Sequence, residues 1–211
     1  SFDVLGEDNN KRINGILKEL LSGSYAKGST EQKLSDLYKL SMDEARRNKE
    51  GVQPLMPLLN KMEKAKTTAD LFKIQLELVP MGDSEFIGTY VAADEKNAKQ
   101  NILYVAQSGI TLRQKEYYLD TDSATTAIRE AYKKHIVNMF KKFGFSESAA
   151  QKKMQNIMKL ETELAKVSKS NTELRDPEAN YHKMTYAEFN KKYSHIQLEK
   201  QLLAAGVNLN Y

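Results

Sequence analysis

Apolar residues recur every three or four positions along most of this chain, a spacing typical of amphipathic helices that face a core. The two longest such stretches extend from Ala124 to Phe143 and from Ser146 to Ala165. Asp122 and Ser123 can cap the first helix, and Gly144 can end it in a left-handed conformation. The short link predicts an antiparallel pair. The apolar stripes are Ile128, Tyr132, His135, Ile136, Met139 and Phe143 in the first helix and Ala150, Met154, Ile157, Met158, Leu164 and Ala165 in the second.

Four shorter helices are predicted before this pair. Ser29 and Gln32 have capping-box spacing, Asn48 and Gly51 can stop the helix that follows, and Thr67 or Thr68 can cap a later one. Pro54 and Pro57 suit the first turn of another helix, and Pro80 and Gly82 end the helical run. The predicted ranges are 7–21, 29–48, 54–62 and 68–78.

A change of character between Phe86 and Gln107 predicts one β-hairpin. Residues 86–91 and 102–107 are rich in β-branched and aromatic side chains, and the polar stretch 94–97 separates them. Because two strands alone are marginal in water, we expect the hairpin to lie against the helices or another part of a larger protein. A short helix over 111–119 and two more over 185–203 follow. The predicted fold is mainly α: a multi-helix domain with two long antiparallel helices and one small β-hairpin.

Composition limits the classes of function. The 211 residues are 40% hydrophobic, enough for a core, and no apolar run approaches the roughly 20 residues of a transmembrane helix. Basic and acidic residues, 32 and 28 in number, are mixed along the chain, which indicates solvated helix faces rather than a nucleic-acid interface. No cysteine is present, so disulfides and thiolate metal sites are excluded. Ser1 is not a translation start, so we expect a mature or trimmed product.

Catalytic chemistry is not indicated by any motif. His135, His182 and His195 are far apart, and none stands in a His-Glu-x-x-His pattern. We therefore predict no catalytic, metal-ligating or cofactor-binding residue in this chain, and assign no substrate-binding residue. His135 lies on an apolar stripe, which favours a satisfied core histidine over a ligand. Glu161 falls on the buried stripe of the second long helix, either as a catalytic carboxylate or, as we favour, paired with a cation such as Arg175. The methionines at 139, 154, 158 and 184 are predicted to fill the core.

Several separated motifs nevertheless occur in a recognisable order. They are Phe2-Asp3-x-Leu5, Asp94-x-Lys96-Asn97, Gln107, Leu112, Tyr117-Tyr118, Leu160-Glu161, Asp176-Pro177 and Tyr181-x-Lys183-Met184-Thr185. Together they resemble the amino-terminal region of the neprilysin family of zinc metallopeptidases, and they are most similar to its bacterial endopeptidase O branch. The resemblance covers essentially the whole of residues 1–211. Two departures are Gly6, where some relatives carry an arginine that holds a substrate carboxyl terminus, and His182, where the family usually has asparagine.

The resemblance implies a helical, non-catalytic domain facing a thermolysin-like catalytic domain across a cavity. In the family, zinc is bound by His-Glu-x-x-His and a downstream glutamate outside this region, so the whole protein would be a zinc metalloendopeptidase while this chain alone binds no zinc and is inactive. We expect it to wall the cavity and restrict substrates to small peptides. Tyr117, Tyr118 and the segment 175–185 would be structural. The alternative is a stand-alone helical module that binds peptides or proteins without hydrolysing them.

The expected partners are the catalytic domain of the same protein and small peptide substrates, with no nucleic acid and no transmembrane segment in this chain. The resemblance, together with the absence of cysteine and of Asn-x-Ser/Thr acceptor sites, implies a bacterial cell-envelope or secreted protein.

Overall fold

A computed structural model describes residues 2–82 and 87–208, and the chain divides into two compact units at Met56 and Pro57. Helices dominate both units, and the described residues contain one two-stranded sheet, which confirms the predicted mainly α fold. The helices are α1 (Phe2–Ser22), α2 (Thr30–Met42), α3 (Glu44–Glu50), α4 (Met56–Lys64), α5 (Thr68–Leu78), α6 (Glu116–Leu119), α7 (Ser123–Lys142), α8 (Glu147–Val167), α9 (Pro177–Asn180), α10 (Tyr186–Lys192) and α11 (Leu198–Ala204).

The first unit is built on α1 and α2. Helix α1 begins at Phe2, before the predicted start at Glu7, and has no buried residue. The Ser29 side chain accepts a hydrogen bond from the backbone N–H of Gln32 at 3.1 Å, as predicted, but the Gln32 side chain bonds the N–H of Gly28 instead of completing a capping box. The single helix predicted over 29–48 is wrong: Asp43 interrupts it, and its side chain caps α3.

The second unit contains the β-hairpin, whose strands are longer than predicted. Strand β1 (Ile87–Asp94) pairs antiparallel with β2 (Asn97–Gln107), with Tyr90 opposite Tyr104 and a bulge between Ala93 and Asp94. The two tyrosine rings stack with their centroids 5.0 Å apart. The predicted starting residue, Phe86, lies outside the described residues.

Helices α7 and α8 carry the main core of the second unit. Their starts are capped by Asp122 and Ser146, whose side chains accept backbone N–H groups of the first turn, and Gly144 adopts a φ of +88° in the link between them. The core consists of Tyr118, Ile136, Met158 and Ala165. This arrangement confirms the predicted helix pair.

Some predicted core positions are wrong. His135 is exposed, and Met139 is 36% exposed, so neither is a core residue in this structure. The predicted helix over 111–119 is limited to α6, because the preceding residues form turns in which Arg113 has a φ of +63°. Helices α10 and α11 confirm the two predicted after Thr185, and Thr185 forms a capping box with Glu188. No helix among the described residues has the length and apolar character to span a bilayer.

Candidate functional site

A buried carboxylate at the hairpin turn joins segments that are distant in sequence. Asp94 is only 1% exposed. It accepts hydrogen bonds from the Tyr181 hydroxyl at 2.9 Å, the Lys183 ammonium at 2.7 Å and the backbone N–H of Lys96 at 2.9 Å. We call these four residues the Asp94 cluster. Because Tyr181 and Lys183 follow α9, the cluster fixes the hairpin turn to the segment beyond that helix.

Charge within the Asp94 cluster favours the ionised carboxylate. The hydrogen bond from Lys183, followed by that from the Lys96 backbone, lowers the pKa of Asp94 to about 2 although burial acts in the opposite direction. Asp94 in turn raises the pKa of Lys183. The Lys96 ammonium forms an ion pair with Glu178 at 2.7 Å and lies 4.7 Å from the ring centre of Tyr181. The turn of the hairpin is thus held by both backbone and side-chain contacts.

A second buried carboxylate lies between the long helices. Glu161 is 7% exposed and accepts hydrogen bonds from the hydroxyls of Tyr118 at 2.7 Å, Thr111 at 2.7 Å and Tyr132 at 3.1 Å. The Tyr118 hydroxyl also accepts the backbone N–H of Leu112 at 3.0 Å. Glu161, Tyr118, Thr111 and Tyr132 form the Glu161 cluster. Burial, reinforced by Glu161, raises the pKa of both phenols.

The favoured pairing of Glu161 with Arg175 is therefore wrong. Arg175 is exposed in a short 3-10 turn, and the carboxylate is satisfied by hydroxyl groups instead of a cation. Hydroxyl donors can stabilise a buried carboxylate because each supplies a hydrogen bond without requiring a second buried charge. One indication of this arrangement is visible in the sequence, since Tyr132 shares the core-facing stripe of α7.

A third set of contacts connects the end of β2 to the segment after α8. The Gln107 side-chain amide donates to the carbonyl of Lys169 at 2.9 Å and accepts the Lys169 N–H at 2.8 Å. The Lys169 ammonium donates to the Asn180 side chain at 2.6 Å, and that side chain donates to the carbonyls of Glu173 and Asp176. These bonds bring Gln107 and the Asp176-Pro177 turn, both parts of the sequence motifs, to one region. Asn180 belongs to the segment 175–185 that the resemblance marks as structural, whereas nothing in the sequence singles out Lys169.

The other candidate residues make none of the hydrogen bonds of these clusters, although His182 stands between Tyr181 and Lys183 in sequence and His135 lines a surface depression with Thr111 and Tyr132. His135, His182 and His195 are all exposed, and Gly6 lies exposed on α1. Within residues 2–82 and 87–208, no three His, Asp or Glu side chains converge closely enough to share a metal ion. The clusters consist of hydrogen-bonded side chains that join elements of the second unit. The hydrogen bonds of Tyr118, Tyr181 and Lys183 connect distant elements, in keeping with the structural role predicted for Tyr117, Tyr118 and the segment 175–185.

These contacts unite residues from nearly every motif of the predicted family. The model for the amino-terminal part of peptidase family M13 matches residues 1–210. The chain belongs to peptidase family M13. Endothelin-converting enzyme 1 of Cavia porcellus is 34% identical over 196 residues, which cover 89% of this chain and 25% of that protein. The neprilysin-family resemblance is thereby confirmed.

Solved structures agree with this membership. The crystal structure of Mycobacterium tuberculosis zinc metalloprotease Zmp1 in complex with an inhibitor is 27% identical, superposes with a TM-score of 0.85, and is matched over 97% of this chain and 31% of that chain. The structure of PepO from Lactobacillus rhamnosis shares the fold, with 19% identity and a TM-score of 0.75 over 95% of this chain and 31% of that chain. The M13 chain described here spans about a quarter to a third of these relatives.

Proposed function

We propose that this chain is the helical, non-catalytic part of a zinc metalloendopeptidase that hydrolyses small peptides. The observation that carries this proposal is the match of residues 1–210 to the amino-terminal part of family M13, whose relatives include a protein described as a zinc metalloprotease. The chain covers 31% of that relative. Zinc and the water-activating glutamate would then be supplied by a catalytic domain of the same protein, the expected partner of this chain.

The contribution of this domain would be steric. A wall beside the catalytic domain excludes folded proteins, whereas a short peptide can enter at the cost of its ordering entropy. The hydrogen bonds of Asp94 with Tyr181 and Lys183 and of Glu161 with Tyr118 support a rigid wall, because they connect residues separated by 43 to 89 positions in sequence. Such contacts oppose local opening of the hairpin or of the α7–α8 pair.

We further propose that the protein functions in a bacterial cell envelope or outside the cell. The family relatives of solved structure from Mycobacterium tuberculosis and Lactobacillus rhamnosis support the bacterial assignment. The chain also contains no cysteine, in keeping with a bacterial protein that needs no disulfide. Cell fractionation with an antibody against this chain tests the proposal, and recovery in the cytoplasmic fraction would contradict it.

The proposed activity is tested on the native protein, isolated from its source with an antibody against this chain. We expect a polypeptide far larger than 24.0 kDa that contains zinc and loses peptidase activity on chelation. It should cleave a flexible peptide of about ten residues but not the same sequence held in a loop of a folded protein. A native product near 24.0 kDa without metal or peptidase activity would refute the proposal and favour a stand-alone binding module.

The 211-residue chain by itself provides a second test. Because the zinc ligands of the proposed enzyme would lie in the catalytic domain, we expect the purified chain neither to retain stoichiometric zinc nor to cleave peptides. Metal analysis after dialysis measures the first property. One tightly held zinc per chain would contradict this division of labour.

A further inference from the structure

Positive charge is concentrated at the end of the α7–α8 pair. Residues 131–160 contain seven lysines and one acidic residue, Glu147, whereas the whole chain has a net charge of only +4. The rest of the chain is therefore slightly acidic. Four of these lysines lie in the last turn of α7 and the first two turns of α8: Lys141, Lys142, Lys152 and Lys153. We call residues 138–153 the α7–α8 tip.

Little of this charge is neutralised within the α7–α8 tip. Lys141 pairs with Glu147 at 2.6 Å, and the hydrogen bond from Lys141 lowers the pKa of Glu147. Lys142 and Lys152 are exposed and form no ion pair within the part of the chain that the structure describes. Glu147 thus offsets only one of the four positive charges.

Apolar side chains lie among the lysines of the tip. The rings of Phe140 and Phe145 pack edge to face with their centres 5.7 Å apart, and the Lys153 ammonium lies 4.4 Å from the centre of the Phe145 ring. Met139 is 36% exposed and lines a shallow surface depression together with Phe143. Exposed apolar surface beside lysines is typical of segments that bind at the interface of a lipid bilayer.

Two features of the tip favour a lipid surface over a nucleic acid. The tip contains no arginine, the residue that binds phosphate in a fixed bidentate geometry, whereas a flexible lysine ammonium suits a diffuse layer of anionic headgroups. The rings of Phe140 and Phe145 contact each other and Lys153. Proteins that bind single strands instead present open aromatic faces on which bases stack.

We propose that the α7–α8 tip binds the surface of a membrane that contains anionic phospholipids. The lysine ammonium groups would pair with headgroup phosphates, and Met139 and Phe143 would enter the boundary between headgroups and acyl chains. The attachment would be reversible, because a few lysines give a moderate attraction that salt screens. This inference rests on the charge and the exposed residues of the tip, and not on the proposed peptidase function.

The test measures sedimentation of the 211-residue chain with vesicles of phosphatidylcholine that contain about 30% phosphatidylglycerol or none. Lys142→Gln/Lys152→Gln removes two charges of the tip that have no ion pair. Lys99→Gln/Lys191→Gln is the matched control, because both lysines are exposed in the second unit, outside the tip, and pair with no carboxylate among the described residues. Far-UV circular dichroism checks the folding of each variant.

We expect the chain to bind the anionic vesicles and not the neutral ones. Each lysine near an anionic surface strengthens binding about fivefold, so Lys142→Gln/Lys152→Gln should bind about thirtyfold more weakly. The control variant loses the same net charge but should change binding less than about twofold, because its lysines lie beyond the screening length from the surface. Raising the salt concentration to about 0.5 M should release the chain.

The inference is overturned if the chain does not bind the anionic vesicles, if it binds the neutral vesicles equally well, or if the control variant loses as much binding as the tip variant. Tighter binding of a single-stranded oligonucleotide than of the vesicles, at equal phosphate concentration, would overturn it in favour of a nucleic-acid site. None of these results depends on zinc or on peptidase activity, so failure here and failure of the proposed function are distinguishable.

Discussion

Replacement of Tyr118 by phenylalanine tests whether the Glu161 cluster stabilises the fold. The variant keeps the ring in the core but removes the hydroxyl that donates to Glu161 at 2.7 Å and accepts the N–H of Leu112 at 3.0 Å. A hydrogen bond to a charged group is worth about 1.5–3 kcal/mol, and an unpaired N–H adds to the loss. Because Tyr118 is 4% exposed and Glu161 is 7% exposed, water replaces these bonds poorly. We expect the free energy of unfolding to fall by about 2–4 kcal/mol.

The assay is urea unfolding of the 211-residue chain, followed by far-UV circular dichroism. The decrease corresponds to a Tm lower by roughly 5–15 °C for a chain of this length. Tyr117→Phe is the matched control, since Tyr117 is the neighbouring residue and its hydroxyl makes no hydrogen bond with the described part of the chain. Its loss should stay within about 0.5 kcal/mol. Equal stability of the two variants would show that the Tyr118 hydroxyl does not stabilise the folded chain.

Three further predictions concern pH and capping. The hydrogen bond from Lys183 is the main reason that the pKa of Asp94 is lowered to about 2, below the value of about 3.9 in the unfolded chain. Ionised Asp94 therefore stabilises the folded chain above about pH 3.9, and this stabilisation is lost as the pH falls through about 2. Acid unfolding should show a component that Asp94→Asn lacks. Burial raises the pKa of Tyr118 and that of Tyr132. The protonated phenols therefore stabilise the folded chain below about pH 10, and this stabilisation is lost at higher pH. Spectrophotometric titration of Tyr118→Phe should lack one phenol that ionises late. Thr185→Ala removes the cap of α10 and should cost about 1 kcal/mol in urea unfolding, and an unchanged free energy of unfolding would contradict this role of Thr185.

The long helices could be predicted closely because several local signals agree. For α7 and α8, the apolar period, the side-chain caps at Asp122 and Ser146, and the glycine at 144 all indicate the same boundaries. Helix boundaries were predicted wrongly where a single residue interrupts the periodic pattern of apolar residues. Asp43 stands within a continuous helical pattern, yet its side chain accepts the N–H of Arg46 at 2.8 Å and starts a new helix.

The partners of buried charges could not be predicted in the same way. Helix periodicity placed Glu161 correctly on a buried face, because that property depends only on neighbouring residues. Its partner depends on which elements meet in three dimensions, and the principal donor, Tyr118, lies 43 positions earlier in a four-residue helix with no strong pattern. The exposure of His135 has a related cause, since α8 and α6 cover only part of the apolar stripe of α7.

The polar contacts of Asp94 and Gln107 explain how a two-stranded hairpin can persist beside the helices. A hairpin of this size is marginal in water, and its strands contribute no buried apolar residue. The Asp94 and Gln107 contacts attach its two ends to the chain on either side of α9, while Glu161 joins α6 to α8. Separating the hairpin turn would leave Asp94 without its charged partner, which is unfavourable for a carboxylate that is 1% exposed. We therefore infer that these polar contacts, more than apolar packing, hold the hairpin in place, as a rigid wall beside a catalytic domain would require.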